Sequence, residues 1–266
     1  MGEKTDSASE KTGSNADLLG RKIFFLYPTA VVQNKIITEL VQQEYETYMA
    51  KDKDALKRVL KKYPDSIVFV DINENLPEKE WEAWITGVMT APETKGIAIG
   101  VVTSNDDEII KRKYLMVIKV PCGYTVLKFD LDKSIAHIIE VLQAVKAKGR
   151  RKYIRAITGG EANTTLNMPM NGVFVKGTIK DVSVVGISFT LEGNPEIVKN
   201  TLFRDIQVKL QSNLLKTEGI VLGSRMDGKD MVYVLLFTQR IDPEVRTKIR
   251  KYIQHNLQNK MDAELR

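Results

Sequence analysis

Asp181-Val182-Ser183-Val184-Val185-Gly186-Ile187-Ser188-Phe189-Thr190-Leu191 is the stretch whose pattern decides the fold of the C-terminal half of this chain. After Gly186, Ile187, Phe189 and Leu191 alternate with Ser188, Thr190 and Glu192, the period of two expected of a strand with one buried face. Thr178–Val182 is a second β-branched run, so Ser183–Gly186 falls between two strands. Outward from here, Gly172–Lys176, Ile206–Leu210, Gly219–Leu222 and Met231–Phe237 are short runs of the same kind, split by Gly or Asn. Asp227-Gly228, between two such runs, is a hairpin signal. Many short strands with turn signals and no long helix predict an antiparallel β-barrel. Asp242-Pro243 then supplies an N-cap and a first-turn proline for a helix running to about Met261.

Upstream of Gly149 the texture is different. Ile23–Tyr27, Ser66–Ile72, Ile97–Val102 and Tyr124–Phe129 are apolar runs of buried-strand type. Between and after them, Val31–Gln43, Lys53–Tyr63, the segment around Trp81, Trp84, Ile85 and Val88, and Ser134–Lys148 carry apolar residues at helical spacing. Strands alternating with helices predict an α/β domain with a mostly parallel sheet covered on both faces. The expected organisation is a disordered polar tail over residues 1–20, an α/β domain over 21–148, and a barrel with its C-terminal helix over 149–266.

At the junction the sequence reads Arg150-Arg151-Lys152-Tyr153-Ile154-Arg155. Arg151 and Arg155 form RxxxR, and after 25 intervening residues Asp181, Ser183 and Gly186 form DxSxxG. RxxxR alone is weak, whereas DxSxxG at a set distance is rarer by composition, and the barrel context comes from periodicity rather than from the motif. This pair resembles the two-part signature of PilZ domains, and the resemblance covers about residues 148–258. It implies a receptor for cyclic di-GMP that needs no cofactor and no metal and is not an enzyme. It also implies that Arg151 and Arg155 engage guanine and phosphate, that Asp181 and Ser183 contact a guanine from the barrel surface, and that Gly186 permits a close backbone turn. Arg150 joins as a further stacking or phosphate-binding group.

The residue types suit that ligand. A guanidinium fork bonds the adjacent O6 and N7 acceptors of guanine, or clamps a phosphate, in a way lysine's point charge does not. A carboxylate suits the opposite edge, where N1–H and N2–H are donors. Thr158-Gly159-Gly160-Glu161 resembles the start of a diguanylate cyclase signature, but Ala162 and Asn163 replace its final acid and Phe.

Pro64-Asp65-Ser66-Ile67-Val68-Phe69-Val70-Asp71-Ile72, with Leu76-Pro77 beyond, resembles the third strand of a response-regulator receiver. The resemblance implies Asp71 as a degenerate phosphoacceptor, with Thr103 and Lys128 at the family's Thr/Ser and Lys positions. Tyr27-Pro28-Thr29 stands where receivers hold the acidic pair that binds Mg²⁺, and Glu74-Asn75 are extra residues before Leu76-Pro77. A pseudo-receiver used for protein contact is the expected reading, with a strand-end carboxylate capping a loop as the plain role for Asp71.

Bulk properties narrow the remaining classes. The chain has 266 residues and a formal charge of +6, with six cations and no acid between Lys146 and Arg155. An anionic partner follows, without fixing which anion. One cysteine, Cys122, excludes an intrachain disulfide, and His137 and His255 both fall off their apolar helical stripes. No apolar run suits a membrane span, and the N-terminus has neither a secretory apolar region nor a myristoylation pattern, since Asp6 stands where Ser or Thr is required. A cytoplasmic receptor whose ligand changes the arrangement of two domains is the leading expectation. A polyanion or nucleic-acid binder, and a protein-interaction adaptor with a decayed ligand site, are the alternatives.

Overall fold

The computed structural model describes residues 18–127, 130–159, 161 and 163–266. Most of the expected polar tail, together with Lys128 and Phe129, lies outside them. The chain forms two compact units, one running to Lys152 and including Gln258–Arg266, the other spanning Tyr153–Leu257.

The first unit is a five-stranded, all-parallel α/β domain. Its strands β1 (Ile23–Leu26), β2 (Thr47–Ala50), β3 (Ile67–Asp71), β4 (Ala98–Thr103) and β5 (Tyr124–Val126) lie in the order β2-β1-β3-β4-β5. Every residue of β1, β3 and β4 is buried, as the continuous apolar runs predict for strands covered on both faces. The helices are α1 (Thr38–Gln42, continuing a π-helical Val32–Ile37), α2 (Lys53–Lys62), α3 (Glu78–Thr90), α4 (Glu108–Arg112, continued by π-helical Lys113–Ile118) and α5 (Leu131–Ala144). The α2 start is set by Asp52, whose carboxylate accepts from the Asp54 and Ala55 amides at 2.8 Å each. Edge strand β2 is blunted by Gln258, whose side-chain amide accepts from Met49 N–H and donates to Met49 C=O, both at 2.9 Å. The strand order reverses between β1 and β3, so a crevice opens at their C-terminal ends, where Asp71 stands.

The second unit is a closed antiparallel barrel. Strands β7 (Thr164–Met170), β8 (Val173–Ser183), β9 (Gly186–Leu191), β10 (Leu202–Leu210), β11 (Asn213–Asp227) and β12 (Asp230–Phe237) run in the order β8-β7-β10-β11-β12-β9. Pairing of β8 with β9 closes the ring, and the short β6 (Ala156–Ile157) adds to β8. Leu166, Ile179, Val182, Phe189, Val208 and Leu235 fill the interior, joined by Ile249, Tyr252 and Ile253 from helix α6 (Pro243–Leu265). Asp242 begins that helix by accepting from Glu244 N–H at 2.7 Å.

Two differences from the sequence reading have physical causes. Gly177 does not divide Gly172–Val182 into two strands; β8 runs through it, and glycine is needed there since a Cβ would sit 2.3 Å from the Thr190 carbonyl oxygen. The glycine marks close approach of two strands rather than a break. Strands β2, β6 and β7 and helix α4 have no expectation in the sequence. In α4 and its π-helical continuation Tyr114 alone is buried while the apolar Ile109, Met116 and Val117 point to solvent, so no periodic buried stripe announces the helix.

Candidate functional site

The barrel face around Asp181 is built by one irregularity. From Gly177 to Ile179, β8 opposes β9 with Ile179 facing Phe189, both in the core. Continued without interruption, that register would set Asp181 opposite Ile187, inside the barrel. A bulge between Ile179 and Asp181 shifts the phase by one residue, so Asp181 opposes Ser188 and Val182 takes the inward position opposite Ile187. The carboxylate is thereby turned to the outer face.

Three groups meet there. β6 sets Ala156 opposite Val182 and Ile157 opposite Asp181, and the Thr158 amide donates to the Lys180 carbonyl at 2.9 Å while its hydroxyl donates to Ile179 C=O. This tether brings Arg155 alongside, with Nη1 donating to Asp181 Oδ1 at 3.3 Å. Ser188 donates its hydroxyl to the other carboxylate oxygen, Oδ2. Arg155 keeps 43% of its side chain exposed and Asp181 24%, so the pair contributes about 0–1 kcal/mol and opens at little cost.

The other sequence-selected residues are placed as follows. The buried Ser183 donates to the Gly186 carbonyl at 3.1 Å and closes the β8–β9 turn. A Cβ on Gly186 would lie 2.2 Å from the Leu235 carbonyl oxygen, so the glycine is required by its β12 neighbour. Arg150 and Arg151 belong to the first unit, where the Arg151 amide donates to the Leu18 carbonyl at 3.0 Å. Arg155, Asp181, Ser183 and Gly186 belong to the barrel.

The family description "PilZ domain" matches residues 149–255. This segment is a PilZ domain. Within it Glu161, part of the cyclase-like tetrapeptide, accepts from Asn256 of α6 at 3.0 Å and from Thr164 at 3.4 Å, a use internal to the fold. Among solved structures, the PilZ domain of Escherichia coli YcgR with c-di-GMP shares 16% identity at a TM-score of 0.36, covering 42% of this chain and 98% of that one. The MrkH–c-di-GMP complex of K. pneumonia shares 16% identity at a TM-score of 0.37, covering 44% and 56%. The Mn²⁺-bound response regulator Rcp1 shares 16% identity at a TM-score of 0.36, covering 46% and 92%. The match spans about half, 51%, of the longer Escherichia coli YcgR chain in complex with c-di-GMP, at 16% identity and a TM-score of 0.37. No curated protein matches the chain.

The α/β unit carries a second constellation. Asp71, at the end of β3, is 4% exposed and accepts from Asn73 N–H at 3.1 Å. Burial pushes its carboxyl up to about 6, against the opposing pull of that amide, with a small further rise from Glu74. Thr103, ending β4, gives its hydroxyl to Asn73 Oδ1 at 2.7 Å, and the Ser104 amide donates to the same oxygen at 2.8 Å. The Asn73 side chain thus takes up the Thr103 hydroxyl and the Ser104 amide, while its backbone N–H caps Asp71. Tyr27 stacks edge-on against Trp81 at 5.9 Å, and Thr29 lines the open cleft of about 790 Å³ that contains Asp71. Among the described residues no group of three or more His, Cys, Asp or Glu could hold a metal ion. The sequence reading did not single out Ser188, Asn73 or the bulge. A cross-strand count from Asp181 would have reached Ser188 only with the bulge already placed.

Proposed function

We propose that this protein is a cyclic di-GMP receptor, not an enzyme, and that the PilZ barrel reads the dinucleotide through Arg155 and Asp181 together with Arg150, Arg151, Ser183 and Gly186. The observation that carries this reading is the outward-turned Asp181 beside Arg155, on a barrel whose register has been shifted to put the carboxylate there. Asp181 offers acceptors for guanine N1–H and N2–H, and the arginines offer forks for O6 and N7 or for phosphate. Support for the ligand class comes from the PilZ match and from the YcgR and MrkH complexes that contain c-di-GMP.

On this reading the ligand draws Arg150 and Arg151 onto the barrel face beside Arg155 and so changes the setting of the α/β domain. The affinity of the docked state must exceed that of the open state for such a change to follow. The α/β unit acts as a pseudo-receiver for protein contact, in keeping with Ile109, Met116 and Val117, which are 81%, 71% and 74% exposed. No helix among the described residues is long and apolar enough to cross a membrane, and we place the receptor in the bacterial cytoplasm with its messenger. Fluorescence titration of the full chain with cyclic di-GMP, using GTP and the linear dinucleotide as competitors, tests the reading. Saturable binding that neither competitor displaces supports it, and equal competition by GTP contradicts it.

A further inference from the structure

Ser188 lies on the outward phase of β9 between two core residues, Ile187 and Phe189, yet it is only 6% exposed. Its hydroxyl donates to Asp181 Oδ2, while Arg155 donates to Oδ1. The opposition of Ser188 and Asp181 exists only because of the bulge after Ile179; in the unbulged register Lys180 would face Ser188. A carboxylate on a two-bond side chain rotates freely unless an oxygen is held, and a guanine edge needs both oxygens in one plane with its two N–H donors. Each Asp181 oxygen has a second lone pair left after these bonds, so both can still accept from a ligand.

We propose that Ser188 is a positioning residue for the ligand site: it fixes the plane of the Asp181 carboxylate that reads the guanine edge. The inference rests on the cyclic di-GMP reading and extends it to a residue outside the RxxxR and DxSxxG positions. Ser188 acts through Asp181 and makes no contact with the dinucleotide. Threonine at this position keeps a hydroxyl and the strand preference, whereas alanine removes only the donor.

The test is a calorimetric cycle on the full chain with cyclic di-GMP as probe. It compares wild type, Ser188→Ala, Ser188→Thr, Asp181→Ala and the Asp181→Ala/Ser188→Ala double variant. Ser188→Ala is expected to weaken binding about tenfold, Ser188→Thr to stay within about threefold of wild type, and Ser188→Ala to add nothing once Asp181 is gone. Thermal melts of each variant keep loss of fold separate from loss of binding. Wild-type affinity in Ser188→Ala, or a loss that persists undiminished in the Asp181→Ala background, overturns the positioning role. A wild type that does not bind at all overturns the cyclic di-GMP reading itself, a different result from either.

Discussion

Arg155 Nη1 donates to Asp181 Oδ1 at 3.3 Å, joining two residues 26 apart in sequence. The two groups to which opposite edges of a guanine are assigned therefore hold each other. The pair is partly exposed and worth little in itself, so a ligand that offers each partner a better-matched group can replace it.

Arginine identity, rather than bulk charge, is expected to set affinity. Arg151→Ala or Arg155→Ala should each cost about 1.5–3 kcal/mol, roughly 10–150-fold in Kd, the range for hydrogen bonds involving charged groups. Lys146→Ala or Lys148→Ala should cost well under ~1 kcal/mol, because an exposed charge is screened. Titration of the four variants at one ionic strength checks the contrast. Equal losses at all four positions would point to nonspecific attraction of a polyanion.

Acetyl phosphate with Mg²⁺ should leave Asp71 unmodified. Tyr27, Pro28 and Thr29 replace the metal-binding acids, and Asn73 already occupies the Thr103 hydroxyl and the Ser104 amide. Intact-mass measurement decides the matter: a gain of one phosphoryl group, absent in Asp71→Asn, would show a working receiver.

Asp71 should also make the protein's stability depend on pH. Its folded carboxyl titrates near 6, against an ordinary value of 3.8, so between those values the folded chain keeps a proton that the unfolded chain has released. The contribution of Asp71 is then most favourable below about pH 4 and is lost as pH rises through about 6. Asp71→Asn, which mimics the protonated form, should be more stable than wild type by about 2–3 kcal/mol at pH 8, the difference fading toward pH 4. Urea unfolding across this range measures it, and a pH-independent difference would contradict the assignment.

Gly186→Ala should destabilise the barrel by about 2–4 kcal/mol, since its Cβ would meet the Leu235 carbonyl oxygen at 2.2 Å and neither backbone can retreat without breaking β9–β12 pairing. Gly223→Ala, with nothing within 4 Å of the added carbon, should change stability by less than ~1 kcal/mol. Paired thermal melts compare them, and equal effects would refute the packing account of Gly186.

The architecture was legible in the sequence where patterns are local. Ile187, Phe189 and Leu191 alternate because one face of β9 is core, and Ile67–Val70 form an unbroken run because β3 is covered on both sides. Helix α6 is announced by Asp242-Pro243, and motif spacing sets Arg155 and Asp181 in one signature without indicating the 3.3 Å contact between them. What stayed hidden depends on register and tertiary contact. Thr178–Val182 reads as the same β-branched run with or without a bulge, so the surface position of Asp181 comes from the PilZ resemblance and not from the local pattern, and its partnership with Ser188 could not be read. Likewise Asn73 is one polar loop residue among several until folding sets it against Thr103.

Whether Asp181 reads a guanine edge is decided by calorimetric titration of cyclic di-GMP into the full chain and its Asp181→Ala variant. Wild type should bind with a Kd of about 1 μM or tighter, equivalent to about −8 kcal/mol. Removing the carboxylate makes the protein more positive, so a nonspecific polyanion binder would gain affinity, whereas a site that reads guanine donors through Asp181 loses it. Asp181→Ala is expected to bind at least tenfold more weakly with unchanged circular dichroism. No heat of binding in wild type, or tighter binding in Asp181→Ala, would contradict it.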